Sequence, residues 1–260
     1  MKLNIVPART GIQWVKLGIQ TFFRQPLGLT GLVFMYGAAY ALLAAIPFVG
    51  VVALAVLTPA ATLGMFVAAD RVTNGIFPMP SVFIAGFRAN PACSRAMLVL
   101  GLMHVTILVV LLGALALFFP GPAIQATEAT ASAPAKVQLS PVILVAFVLQ
   151  LPLLVLFAFA PALVYWHGIT PGKSLFFSAI AFWRNIRAFV TYAATWFLLL
   201  SLLLILLLLV SGGNRVVMLQ FLAPFSIVFL AMLFTSMYFS FRDSFVADAE
   251  ESDNQRGEPR

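Results

Sequence analysis

The chain has 260 residues, 62% of them hydrophobic and 9% charged, with a mean hydropathy of +1.05. A soluble domain carries roughly 45–50% apolar and about 25% charged residues, so the balance excludes a soluble globular protein, and the 25 Phe exclude a disordered one. Cys93 is the sole cysteine and no Cys/His cluster occurs, which excludes an internal disulfide and a zinc site. The net charge of +7 is scattered between apolar stretches, whereas nucleic-acid binding needs cations gathered on one face.

A bilayer core of about 30 Å takes about 20 helical residues to cross. Before the first such stretch, Ile12, Val15, Ile19 and Phe22 recur at helical spacing, opposite Gln13, Lys16, Gln20 and Arg24. This pattern predicts an amphipathic helix lying in the interface, and its length before the first apolar run argues against a cleaved signal peptide. The apolar run from 28 to 69 is twice too long for one span and is broken at Ile46-Pro47-Phe48-Val49-Gly50, so it reads as two spans, 28–46 and 49–69. Four more follow at 96–118, 142–165, 189–210 and 216–240. Shorter amphipathic stretches, Ser81 to Phe87 and Lys173 to Trp183, precede the third and fifth spans. The segment 119–140, rich in Ala, Pro, Thr and Ser, is expected to be a flexible periplasmic loop, and 246–260 a disordered acidic tail. None of the spans alternates with period two, so a β-barrel is excluded.

The expected fold is therefore an all-α membrane protein. It has a single domain, 1–245, of six transmembrane helices with three interfacial amphipathic helices on the cytoplasmic side. Orientation follows from the cations: Lys and Arg concentrate before the first span, in the even-numbered loops and after the sixth, while only Lys136 and Arg215 lie on the opposite face. Both termini are thus expected in the cytoplasm.

Phe22-Phe23-Arg24-Gln25, Gly86-Phe87-Arg88-Ala89-Asn90 and Phe182-Trp183-Arg184-Asn185 each set an aromatic residue before an arginine and an amide just ahead of a span. Pro59, Pro161 and Pro224 fall inside the second, fourth and sixth spans, where each must kink its helix and free a carbonyl that needs another partner. Together these features predict three repeats of one unit: an interfacial helix, an outward span and a kinked return span. Ala60, Gly64 and Ala68 form a small-residue stripe suited to close helix packing, and the leucine-rich stretch 197–209 is expected to face lipid.

No Asp or Glu lies within a span, which disfavours a proton- or cation-coupled pump. His104 and Gln150 each sit about 12 Å inside the apolar layer, from opposite faces, and are a candidate intramembrane polar pair. No GxSxG, HExxH or Walker A motif occurs. Catalytic residues, cofactor-binding residues and metal ligands are therefore not expected, and the protein reads as a non-enzyme. The partner expected is the lipid bilayer, with Arg24, Arg88, Arg184 and Arg187 as candidate contacts to anionic headgroups or to a cytoplasmic protein. Nucleic acid is not expected, and neither a protein partner nor an oligomeric state is indicated. Two functional readings follow: a membrane scaffold or assembly protein, and, as the alternative, a transporter or lipid-handling protein with a cavity between the proline-kinked helices.

The order Trp14-x3-Gly18-x3-Phe22-x-Arg24-x-Pro26, Pro59-Ala60 to Gly64, Ala85-Gly86-Phe87-Arg88, and Met237-Tyr238-Phe239-Ser240-Phe241-Arg242-Asp243-Ser244-Phe245 resembles an uncharacterised family of proteobacterial multi-pass inner-membrane proteins. That family is similar in layout to the membrane domain found with some glycerophosphodiester phosphodiesterases. The resemblance implies a Gram-negative inner membrane and no activity or catalytic residue.

Overall fold

A computed structural model of the chain describes residues 2–47, 49–119, 124–127, 136–139 and 142–246. Nine α-helices are present among them: α1 (Thr10–Arg24), α2 (Pro26–Ala44), α3 (Val49–Thr73), α4 (Ala85–Arg88), α5 (Pro91–Phe118), α6 (Val142–His167), α7 (Pro171–Arg184), α8 (Ile186–Val210) and α9 (Arg215–Ser244). A 3-10 turn, Pro80–Ile84, leads into α4. Six helices, α2, α3, α5, α6, α8 and α9, are long and apolar enough to cross a membrane, in the places where length and hydropathy set the six spans.

The joints between short helices and spans are built by the amide residues of the repeated signature. Gln25 leaves helical geometry at φ −146°, as a residue before proline must, and Pro26 starts α2 at the position where a missing N–H costs nothing. Asn90 is likewise extended before Pro91, and its Oδ1 accepts the Cys93 N–H at 2.7 Å to cap α5. Asn185 ends α7 and starts α8.

The short helices pack into the bundle. On α1 the buried face is Thr10, Gly11, Trp14, Val15, Gly18, Thr21 and Phe22, so it contains Val15 and Phe22 from the expected apolar face, while Ile12 is exposed. The difference comes from the small residues. A β-carbon at Gly18 would fall on the backbone of Ser236 in α9, and one at Gly11 on the Ala188 carbonyl in α8, so the glycines set the line of closest approach. Trp14, outside the expected apolar face, is fully buried. The 3-10 turn packs on α3, where a β-carbon at Gly64 would meet Phe83. The small-residue stripe Ala60, Gly64, Ala68 is buried within the molecule. Helix α7 packs on α6. Each short segment thus rests on the span before it in the chain, and α1, the first, rests on α9, the last.

Helix α3 lies at the centre, touching α2, α5, α6 and α9. Gly101 lets α5 approach until a β-carbon there would fall on the Val56 carbonyl. Helix α8 is held mainly by α1, and most of its leucines, among them Leu198, Leu202 and Leu209, are exposed. One core cluster surrounds Leu29, Leu63, Met97 and Leu100; the other is aromatic, with Trp14, Phe66, Phe159, Phe189, Tyr238 and Phe241.

Two strand pairs complete the fold. β1 (Lys2–Leu3) pairs antiparallel with β4 (Phe245–Val246), joining the two ends of the chain. Within the segment expected to be a loop, β2 (Ile124–Thr127) pairs with β3 (Lys136–Leu139) in the register Ile124 to Leu139, a pairing its composition did not suggest. The expected acidic tail beyond Val246 lies outside the described residues.

Candidate functional site

A proline at position 59 has no N–H to give to the carbonyl of residue 55, four residues back. That carbonyl is the partner of His104, whose Nδ1 lies 2.7 Å from Ala55 O across the α3–α5 contact. The His104 ring also meets Phe157 of α6 edge-on, with centroids 4.9 Å apart. The histidine is buried, and its Nδ1 is spent on the backbone defect that Pro59 creates. Gln150, the other half of the candidate pair, is exposed on α6 and makes no hydrogen bond among the described residues.

A side-chain insertion of another kind occurs in α6. The Ser178 hydroxyl of α7 donates to Val155 O at 2.7 Å and accepts the Phe159 N–H at 3.3 Å, entering the helix where those two groups would have bonded each other. Both atoms lie between the two prolines inside α6, Pro152 and Pro161. At the α1–α9 contact Thr235 Oγ1 reaches Gly18 O at 3.2 Å, and between α8 and α9 Ser236 Oγ takes the Trp196 indole N–H at 3.2 Å and pairs with the Tyr192 hydroxyl at 2.7 Å. These polar groups bind neighbouring helices of the bundle together.

The end of the molecule where β1 meets β4 is richer in charge. Asp70 accepts from the Tyr238 hydroxyl at 2.7 Å, and Asp243 from the Trp14 indole N–H at 2.9 Å. Arg242 lies 3.7 Å from Asp243 and stacks 4.9 Å above the Phe239 ring. Asn185, nearly sealed from solvent, accepts the Val6 N–H at 2.9 Å and donates to Asn4 O at 3.1 Å. Asn4 also bonds the backbone of Asp243 and Ser244. Of the four candidate arginines, Arg24 donates to Thr73 O at 3.3 Å, at the C-terminal end of α3 where the helix dipole favours a cation. Arg88, Arg184 and Arg187 are exposed and make no hydrogen bond or ion pair among the described residues.

The cavities are mostly apolar. One of about 350 Å³ lies between α2, α3 and the 3-10 turn, lined by Tyr36, Thr58, Ala60 and Phe83 among others. An open one of about 490 Å³ lies where α6 passes into α7, beside His167, Thr170 and Lys173. Among the described residues no three His, Cys, Asp or Glu side chains gather in a way that could hold a metal ion.

The contacts of Trp14 and Asn185 are not readable from sequence, because their partners lie 229 and 181 residues away. The signal that did exist was the amide after each repeated arginine, which marks the joint more closely than the arginine does.

A protein of Burkholderia thailandensis that bears the name probable inner membrane protein is 31% identical to this chain over 258 residues, covering 94% of each. No protein-family profile matches the chain, and no solved structure does.

Proposed function

Because the chain belongs to the family of inner-membrane proteins that this Burkholderia protein represents, we propose that it is an integral inner-membrane scaffold or assembly protein without enzymatic activity. Both termini face the cytoplasm in this reading, which the distribution of Lys and Arg supports. The carrying observation is where the polar groups go. Inside the bundle His104, Ser178, Thr235 and Ser236 are spent on neighbouring helices, whereas Arg88, Arg184 and Arg187 stay exposed at the starts of α5 and α8. Those arginines form a cationic rim for anionic headgroups, or for an acidic partner surface, at the cytoplasmic face.

The three-unit reading draws support from the packing of each short segment on the preceding return span, including α1 on α9. It makes the rim recur at equivalent joints. The likeness to the membrane domain that accompanies some phosphodiesterases stays one of motif order, and no hydrolysis is drawn from it. The transport reading has one feature in its favour, the cavity beside Pro59 that Tyr36 and Thr58 line. A cysteine placed at Thr58 would react with membrane-impermeant reagents only if that cavity carries water.

The rim is tested by thermal unfolding of purified protein with and without phosphatidylglycerol. Each arginine near anionic lipid contributes about 1 kcal/mol, screened by salt over about 8 Å. Anionic lipid should stabilise the wild-type protein and lose most of that effect in the combined Arg88→Gln, Arg184→Gln, Arg187→Gln variant. Arg24→Gln should lower stability by a similar amount with or without lipid, because its acceptor is the Thr73 carbonyl. An unchanged lipid effect in the combined variant would end the proposal.

A further inference from the structure

Gln150 is eight residues into α6, about 12 Å from the start of the helix. The threonine hydroxyls at the surfaces of the spans have a local remedy: those of Thr30, Thr106 and Thr191 each return to the carbonyl four residues back. His104 has Ala55. A glutamine carboxamide at this depth has neither remedy, and hydrocarbon chains can offer it no hydrogen bond. Gln220, the other exposed amide on a span, is five residues from the start of α9, close enough to reach toward the headgroups.

Gln150 also stands on a defined seam. Leu144, Phe147, Leu151 and Leu154 are exposed at spacings of four and three residues, the spacing at which parallel helices interlock, and Gln150 is on the same face, three after Phe147 and four before Leu154. We propose that this face of α6 is a homodimer interface in which the two Gln150 carboxamides hydrogen-bond each other across a two-fold axis along the membrane normal. The occupant follows from chemistry and insertion together. Two copies inserted the same way must present α6 in parallel, so each residue meets its own counterpart at its own depth. A carboxamide both donates and accepts, so Gln150 is complementary to itself. An apolar face alone would not select a protein partner, since lipid serves it equally well; the leucines of α8 are therefore not a second interface.

The test uses the full-length protein in vesicles of phosphatidylethanolamine and phosphatidylglycerol. Cys93, the sole natural cysteine, is buried, so an introduced thiol is the accessible one. Leu154→Cys should form an oxidant-dependent dimer, and Leu202→Cys on α8 should not. Self-association read by energy transfer between labelled copies should weaken roughly threefold to thirtyfold in Gln150→Leu and largely persist in Gln150→Asn. Because residue 150 is exposed, monomer thermal stability should be the same in both variants, which separates lost pairing from lost fold. Unaltered association in Gln150→Leu, a dimer through Leu202→Cys alone, or a photo-crosslinker at position 150 that captures a chain of different mass would each overturn the proposal.

Discussion

Pro59 and His104 form a cause and its remedy. In water an open carbonyl would be hydrated; inside a span it needs a protein donor, and the ring of His104 supplies one. This dependence can be measured, because Pro59→Ala returns the N–H that the Ala55 carbonyl lacks. His104→Ala should cost about 1–2 kcal/mol in the wild-type background, the range of interhelical hydrogen bonds in membranes, and much less in Pro59→Ala. Thermal unfolding of the four proteins of this cycle in detergent gives the coupling, and equal costs in both backgrounds would mean the histidine serves some other purpose. That a donor was needed could be read from Pro59 in the sequence. Which donor it is could not, since that depends on α5 lying against α3, a contact set by the absence of a side chain at Gly101.

At the scale of elements, small residues decide how the helices meet. Gly18→Ala and Gly101→Ala press a methyl group onto the backbone of Ser236 and onto the Val56 carbonyl, atoms that cannot turn aside as a side chain can. Each should lower stability by about 1–3 kcal/mol or prevent assembly. Gly37 lies in α2 with open space around it, so Gly37→Ala should gain about 0.5–1 kcal/mol from helix propensity alone. Melting temperatures of the three variants, measured side by side, test the contrast, and a loss at Gly37 would show that α2 is covered by something absent here. The spans were legible because length and hydropathy are local properties. The seat of α1 was not: large apolar residues drew attention to Ile12 and Ile19, while Gly11, Gly18 and Thr21 mark the actual contact.

Across the whole molecule, the first and last segments close on each other. β1 pairs with β4, Trp14 bonds Asp243, and Asn185 ties the backbone of Asn4 and Val6 to the joint between α7 and α8. This clasp holds α1 against α9, so it completes the ring in which the 3-10 turn rests on α3, α7 on α6 and α1 on α9. Asn185 supplies the two side-chain bonds that hold the N-terminal segment at this joint, and replacing it with alanine leaves an N–H and a carbonyl without partners at a site closed to water. The expected cost is about 1–3 kcal/mol. Deleting residues 2–6 removes the same contacts from the other side, so the two changes together should cost little more than the larger one alone. Deleting 249–260 should leave the melting temperature unchanged, because that acidic stretch has no apolar face to bury. Thermal unfolding of the single and combined variants decides the matter: fully additive losses would show that the N-terminal segment and Asn185 stabilise separate parts of the fold, and that the ring is held closed by α1 alone.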